Sequence, residues 1–178
     1  RPAYDHVVQA MSGIMETTGT DEMGPVKVGA PYVDYATGLN AAFAVMAALA
    51  ERTRTGEGQV VDVSMLDTTL NLMASNMSAV ATTGNDLPKL GNEAASGSPS
   101  SGCFTTGDGE HIMLAANNER QFADLCKGLG HPEWASDERW SGPTVRRQNQ
   151  AELRDLMAEA FASDSAQAWE ARLVSYSV

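Results

Sequence analysis

The stretch Tyr32-Val33-Asp34-Tyr35-Ala36-Thr37-Gly38 opens a segment rich in small and apolar residues that runs to Gly56. Residues 39–50 contain no charged side chain, and Glu51-Arg52-Thr53-Arg54-Thr55 follows before the glycine. Alanine and unbranched apolar residues favour an α-helix, and glycine is common just beyond a helix C-terminus. The pattern therefore predicts a long helix over residues 34–54 that carries one carboxylate, Asp34, at its head.

A carboxylate at a helix N-terminus has two common roles. It can accept hydrogen bonds from the free N–H groups of the first turn and so cap the helix. It can also act as a nucleophile towards an electrophilic carbonyl carbon. Both roles are open for Asp34 when its helix is considered alone.

Composition narrows the classes of function. The net charge of −11 argues against nucleic-acid binding, which needs a basic surface for phosphates. We expect no membrane span, because the most apolar run, residues 39–50, is shorter than the roughly 20 residues that a span needs. Cys103 and Cys126 lack the spacing of metal ligands, so we expect free thiols, no metal site and a cytoplasmic location.

Hydrophobic periodicity predicts further helices, one separate strand and a two-stranded hairpin. Gln59-Val60-Val61-Asp62-Val63-Ser64-Met65 alternates and predicts a strand, while Gly107-Asp108-Gly109-Glu110 predicts the turn of a hairpin between 103–106 and 111–115. Asp5 is the predicted N-cap of the first helix. The predicted helices cover residues 5–18, 34–54, 66–81, 119–129, 151–161 and 166–173.

The amino-acid composition of the chain changes near Thr83. Glycine, proline, serine and asparagine dominate residues 84–102, as in a linker or mobile loop. We therefore predict an α/β part in residues 1–84, a linker or active-site loop in 85–102, and a smaller, incomplete α+β domain in 103–178.

Four motifs occur in order along the chain. They are Tyr4-Asp5-(x)3-Gln9-Ala10-(x)2-Gly13, Asp34-(x)2-Thr37-Gly38, Thr55-Gly56-(x)-Gly58-Gln59-Val60-Val61-Asp62-Val63-Ser64-Met65, and Gly91-Asn92 with the loop to Phe104. Taken together they resemble the family III CoA-transferases, a group that also includes acyl-CoA racemases. Trp134, Arg146 and Trp169 lie where the small domain of that family has such residues.

The resemblance implies a fold and an assembly. Residues 1–84 would belong to a Rossmann-like large domain, and the complete protein would form an interlocked homodimer. The matched motifs cover the middle of a family protein, so we expect the chain to be an internal fragment of a longer protein.

The resemblance also implies a chemistry. Asp34 would be the covalent nucleophile, and Tyr4, Asp5, Gly91 and Asn92 would help to bind coenzyme A, which enters as an acyl thioester. An acyl-CoA and a carboxylic acid would be the substrates. A carboxylate that attacks a thioester carbonyl needs no general base, which agrees with the absence of a Ser/His/Asp motif. The loop 91–102 is either a linker or a cover that excludes water from the anhydride.

Two alternatives remain open. The first is an acyl-CoA racemase or isomerase. The racemases of the family have a histidine where this chain has Tyr4, and a phenol with an ordinary pKa of ~10 replaces that base poorly. The chain could also be a non-catalytic CoA-binding remnant. CoA transfer is the function that we predict.

Overall fold

The computed structural model describes residues 3–86 and 88–178, which form two compact units. Unit 1 comprises Arg1–Gly91 and unit 2 comprises Asn92–Val178. The division between Gly91 and Asn92 falls within the segment 84–102, whose glycine and serine content is typical of linkers.

All the regular elements in the described part of unit 1 are helices. Helix α1 packs against α2 and α3, and the buried residues Val8, Gln9, Val33 and Thr69 come from these three helices. The elements in chain order are α1 (Asp5–Ser12), two 3₁₀ turns (Ile14–Thr17 and Asp21–Met23), α2 (Tyr32–Thr55), α3 (Met65–Leu72) and α4 (Ala74–Thr83).

Glycines and one break set the helix ends in unit 1. Helix α2 ends at Gly56, whose φ of +78° is in the left-handed region, so this predicted stop is confirmed. The first predicted helix is too long, because the chain turns at Gly13 with φ of +80° and continues as a 3₁₀ turn. The predicted helix 66–81 is two helices, α3 and α4, interrupted at Met73.

The predicted strand at residues 59–65 is wrong for the described structure. Residues 59–64 form neither helix nor strand, and Met65 already begins α3. Val60 is 93% exposed. A strand needs a partner for its backbone N–H and C=O groups, and no described residue supplies one here. The α/β expectation for residues 1–84 is therefore not met by the described part of unit 1.

Unit 2 combines a hairpin with helices. Strands β1 (Ser101–Thr105) and β2 (His111–Ala115) pair antiparallel, with Cys103 opposite Met113, which confirms the predicted hairpin. Its helices are α5 (Glu119–Leu129), α6 (Pro143–Gln148), α7 (Gln150–Phe161) and α8 (Ala166–Ser175), with 3₁₀ turns at Pro132–Ser136 and Glu138–Trp140. The sequence prediction missed α6, whose six residues are too few to show a periodic pattern.

The core of unit 2 is aromatic. Trp140 and Trp169 are fully buried, and Phe161 lies between Phe104 and Trp169 with ring centroids 5.0 and 5.2 Å away. Cys103 and Cys126 are free, as predicted. Burial raises the pKa of the Cys126 thiol to about 12, so this group packs as an uncharged side chain.

Helix α2 exposes much of its apolar surface within unit 1. Tyr35, Leu39 and Phe43 follow at intervals of four residues, so their side chains share one face, and each is more than 70% exposed. By length and composition alone, α2 could cross a membrane. This corrects the expectation of no membrane span. The uncharged run 39–50 and its neighbours, which carry few charges, together form a window that is long and apolar enough. Core helices of soluble proteins meet the same condition.

Candidate active site at the head of helix α2

Asp34 is the third residue of α2 and its side chain is exposed. The N-cap residue is Pro31, which contributes no side-chain hydrogen bond. The Tyr32 N–H donates to the carbonyl of Ala30 at 2.8 Å, and the Tyr35 N–H donates to the carbonyl of Pro31 at 3.3 Å. The amides of Val33 and Asp34 lie between these two and need another acceptor.

The acceptor for both amides is the carboxylate of Asp5, on helix α1. Its Oδ2 atom accepts from the Val33 N–H at 2.9 Å and from the Asp34 N–H at 3.4 Å. The prediction that Asp5 caps its own helix is therefore wrong: Tyr4 is the N-cap of α1, without a side-chain bond, and Asp5 caps α2 instead. Asp34 consequently does not carry out the capping role that the sequence left open for it.

Gln9 holds the other side of the Asp5 carboxylate. Its side chain is fully buried, and its Nε2 donates to Asp5 Oδ1 at 2.5 Å. Its Oε1 accepts from the Val28 N–H at 2.8 Å, in the segment that leads into α2. The sequence motif contained Gln9 but assigned it no task. Its spacing of four residues from Asp5 on a helix was the available signal, because such residues share one face.

Tyr32 adds a desolvated hydroxyl beside these groups. Its hydroxyl oxygen is buried and has no hydrogen-bond partner among the described residues. Burial raises the pKa of Tyr32 above its ordinary value, and the negative charge of Asp5 raises it further. The phenol is therefore neutral at physiological pH.

The four residues predicted to bind coenzyme A are placed differently from one another. Tyr4 is 69% exposed and its ring stacks on that of His6, with centroids 6.1 Å apart. Asp5 is at the head of α2, as described above. The Gly91 N–H donates to the carbonyl of Gly19 at 2.9 Å in unit 1, and Asn92 is an exposed residue of unit 2. The structure thus places Asp5, and with it the adjacent residue Tyr4, close to Asp34.

Among residues 3–86 and 88–178, no group of three or more His, Cys, Asp or Glu side chains is arranged to hold a metal ion. The arrangement at the head of α2 instead presents a solvent-accessible carboxylate at the positive end of a long helix. Since Asp5 occupies the nearby N–H groups, the oxygens of Asp34 are free to meet an electrophile.

Comparison with known proteins shows the family of the chain. Residues 1–178 match CoA-transferase family III. The chain is 33% identical to the succinyl-CoA:glutarate CoA-transferase of Mus musculus, over 95% of this chain and 38% of the relative. It is 33% identical to the succinyl-CoA–D-citramalate CoA-transferase of Chloroflexus aurantiacus, over 89% of this chain and 39% of the relative.

A solved structure gives the same result. A CAIB/BAIF family protein from Brucella suis superimposes with a TM-score of 0.81 at 30% identity, over 100% of this chain and 47% of that one. The chain thus spans less than half the length of the relatives that it matches. With its whole described length matched, the chain belongs to CoA-transferase family III.

Proposed function

We propose that the protein transfers coenzyme A from an acyl-CoA thioester to a carboxylic acid, with Asp34 as the covalent nucleophile. The observation that carries the proposal is the exposed Asp34 carboxylate in the first turn of α2, where Asp5 takes over the capping role. The family and the CoA-transferase names of the relatives support the reaction class.

In the first half of the reaction, a carboxylate oxygen of Asp34 attacks the thioester carbonyl carbon. The C–S bond breaks, CoA leaves as its thiolate, and an aspartyl mixed anhydride remains. The thiolate then attacks the Asp34 carbonyl carbon of the anhydride. The donor acid leaves as a carboxylate, and an aspartyl-CoA thioester is formed.

The second half repeats these steps in reverse with the acceptor acid. The acceptor carboxylate attacks the aspartyl thioester and expels the thiolate, which then attacks the acyl carbonyl of the new anhydride. Asp34 is regenerated as a carboxylate and the new acyl-CoA leaves. Charge moves between carboxylates and a thiolate throughout, so the chain needs to supply no general base for these steps.

Several finer features are part of the proposal. Coenzyme A enters as a substrate, and Tyr4, Asp5, Gly91 and Asn92 contribute to its binding. The complete protein would be a cytoplasmic homodimer in which unit 1 belongs to a Rossmann-like large domain and 103–178 to a small domain. The covering role of the loop 91–102 stays a prediction.

The direct test is to trap the covalent enzyme with hydroxylamine. The complete protein is incubated with succinyl-CoA, the donor named for two relatives, and then with hydroxylamine. Attack on the aspartyl thioester or anhydride converts the side chain of Asp34 to a hydroxamate, which peptide mass spectrometry locates. A hydroxamate on a different carboxylate, or none during active turnover, would contradict the proposal.

A further inference from the structure

The buried amide of Gln9 joins three elements around the candidate nucleophile. It belongs to α1, receives a hydrogen bond from the Val28 N–H, and donates one to Asp5 at 2.5 Å. Asp5 in turn accepts from the Val33 and Asp34 amides. The hydrogen bonds therefore run without interruption from residue 28 through Gln9 and Asp5 to the backbone of Asp34.

We propose that Gln9 is a positioning residue for the nucleophile, acting through Asp5. This inference rests on the proposed role of Asp34. The two oxygens of Asp5 have separate tasks, since Oδ1 accepts from Gln9 and Oδ2 accepts from the first turn of α2. The bond to Oδ1 holds the carboxylate in the rotamer in which Oδ2 reaches the amides of α2.

Loss of the hydrogen bond between Gln9 and Asp5 would change the hydrogen bonding of the Asp34 carboxylate. Asp5 would have an unpaired oxygen in a partly buried place and would turn towards water, because an unsatisfied buried charge is costly. The Val33 and Asp34 amides would then lose their acceptor. A carboxylate within the same turn can accept from such free amides, so Asp34 itself would be drawn into capping and away from the substrate.

The second bond of Gln9 fixes the approach to α2. Val28 lies three residues before Pro31, the N-cap of the helix, and its N–H is held by Gln9 Oε1 at 2.8 Å. Both ends of the segment 28–33 are therefore tied to the same pair of side chains on α1. A displacement of about 1 Å at a reacting group can lower a rate by about 100-fold, so this attachment matters for catalysis.

The experiment replaces the amide of Gln9 with a carboxyl group of nearly the same size. In Gln9→Glu, a neutral carboxyl reproduces the two short bonds: its O–H donates to Asp5 and its C=O accepts from the Val28 N–H. Only the long bond of 3.5 Å from Gln9 Nε2 to the Val28 carbonyl is lost. The ionised form cannot donate and repels Asp5. Deprotonation of the carboxyl group introduced by Gln9→Glu should therefore break its hydrogen bond to Asp5, and protonation at low pH should restore that bond.

We expect the kcat of Gln9→Glu, relative to the unchanged protein, to fall by more than about tenfold from about pH 5 to about pH 8. KM should change by less than about threefold. Two neighbouring carboxyl groups share a proton above the usual carboxyl pKa, so the loss should appear nearer neutrality than in a single Glu. Besides Asp5, charged or titratable groups lie on α1 itself, on the elements packed against α1, and in the segment that leads into α2. They are His6, Glu16, Lys27, Tyr32, Asp34, Tyr35, Glu51, Arg52, Arg54 and Asp67.

A compensating double variant provides the rescue. In Asp5→Asn with Gln9→Glu, the amide and the carboxylate change places. The new amide at position 5 can still accept from α2 and donate to position 9, and the new carboxylate at position 9 can still accept from Val28. This variant should recover kcat at pH 8 to within about tenfold of the unchanged protein, and its activity ratio should not depend on pH. Gln150→Glu is the matched control and should follow the unchanged protein, because position 150 is exposed and its side chain makes no hydrogen bond to a described residue.

A pH-independent kcat ratio for Gln9→Glu overturns the inference, and so does a folded double variant that remains impaired at pH 8. Circular dichroism at each pH separates loss of folding from loss of kcat; if Gln9→Glu unfolds at pH 8, the double variant alone decides. Asp34→Asn distinguishes the two proposals. If it retains transfer activity, the nucleophile assignment fails, whereas an inactive Asp34→Asn beside a pH-independent Gln9→Glu ratio overturns only the role of Gln9.

Discussion

Two carboxylates meet at the first turn of α2 and have different environments. Asp5 is partly buried and accepts three hydrogen bonds, from Gln9, Val33 and Asp34. Asp34 is exposed, and no described residue donates a hydrogen bond to its side chain. At the scale of single residues, therefore, Asp5 is suited to hold the backbone and Asp34 to react.

This division predicts the behaviour of Asp34→Asn in the complete protein. The free energy of unfolding should change by less than about 1 kcal/mol, which is the usual effect of a charge in a first helical turn. The CoA-transfer rate should fall by more than about 10⁴-fold, as is typical when an enzyme loses its nucleophile. Thermal melting and a transfer assay on the same preparation measure both quantities.

The chain offers a matched control for that substitution. Asp67 is exposed and is the third residue of α3, as Asp34 is of α2. Asp67→Asn should alter stability by a similar small amount and leave the transfer rate unchanged. Equal rates for both variants would exclude Asp34 as the nucleophile.

In unit 2, the pair Arg146–Glu119 predicts a pH dependence. Arg146 is buried and donates to the two Glu119 oxygens at 3.1 and 2.8 Å. These bonds hold the pKa of Glu119 below its ordinary value. A carboxyl whose pKa is lower in the folded state stabilises the fold above its unfolded pKa of about 4.3, and this contribution is lost as the pH falls through the folded value.

Glu119→Gln should therefore lower the melting temperature most near neutral pH. The difference in melting temperature from the unchanged protein should narrow as the pH falls below the unfolded pKa of about 4.3. It should close below the lower folded pKa, where Glu119 is protonated in both states. Glu170→Gln, at an exposed position without an ion pair to a described residue, should show no comparable pH-dependent difference in melting temperature. If the difference in melting temperature between Glu119→Gln and the unchanged protein stays constant from pH 7 to pH 3, Arg146 does not lower the pKa of Glu119 in the folded state.

At the scale of elements, α2 receives its N-terminal cap from another helix. The acceptor, Asp5, precedes Val33 by 28 residues, whereas a usual cap is two or three residues away from the amide that it binds. This bond couples the start of α2 to the start of α1. We therefore expect the first turn of α2 to open more readily when α1 is not packed against it.

Removal of this cap should be visible by hydrogen exchange. Asp5→Ala deprives the Val33 and Asp34 amides of their acceptor, and loss of a cap costs about 1–2 kcal/mol. Their exchange should accelerate by about 5- to 30-fold if local opening limits it. Asp62→Ala, in the exposed segment before α3, should leave these two amides unchanged. Unaltered exchange in Asp5→Ala would contradict the capping geometry.

At the scale of the whole molecule, the face of α2 formed by Tyr35, Leu39 and Phe43 remains uncovered within unit 1. Contiguous apolar surface of this kind is unusual on monomers and promotes association. The chain also spans only 38% of the length of its succinyl-CoA:glutarate relative. Residues 1–178 produced alone should therefore self-associate.

The combined substitution Leu39→Ser and Phe43→Ser should reduce that association. Sedimentation velocity over a range of protein concentrations provides the measurement. Met23→Ser is the control, because Met23 is 62% exposed but does not lie on α2. Concentration-independent monomers of the unsubstituted chain would show that the apolar face does not drive association.

The sequence by itself determined the features that depend on neighbours along the chain. The uncharged run before Gly56 predicted α2, the Gly-Asp-Gly turn predicted the hairpin, and the ordered motifs indicated the family. It also placed Asp34 at the head of its helix. These predictions succeed because helix and turn preferences are decided by residues a few positions apart.

Only the tertiary structure decided which side chain caps α2 and whether residues 59–65 pair as a strand. Both depend on partners distant in sequence. The cap comes from Asp5 because α1 packs beside α2, and the segment 59–64 stays unpaired because no described strand lies next to it. An alternating pattern shows that a segment is suited to a sheet, but hydrogen bonds to a second strand are what make it one.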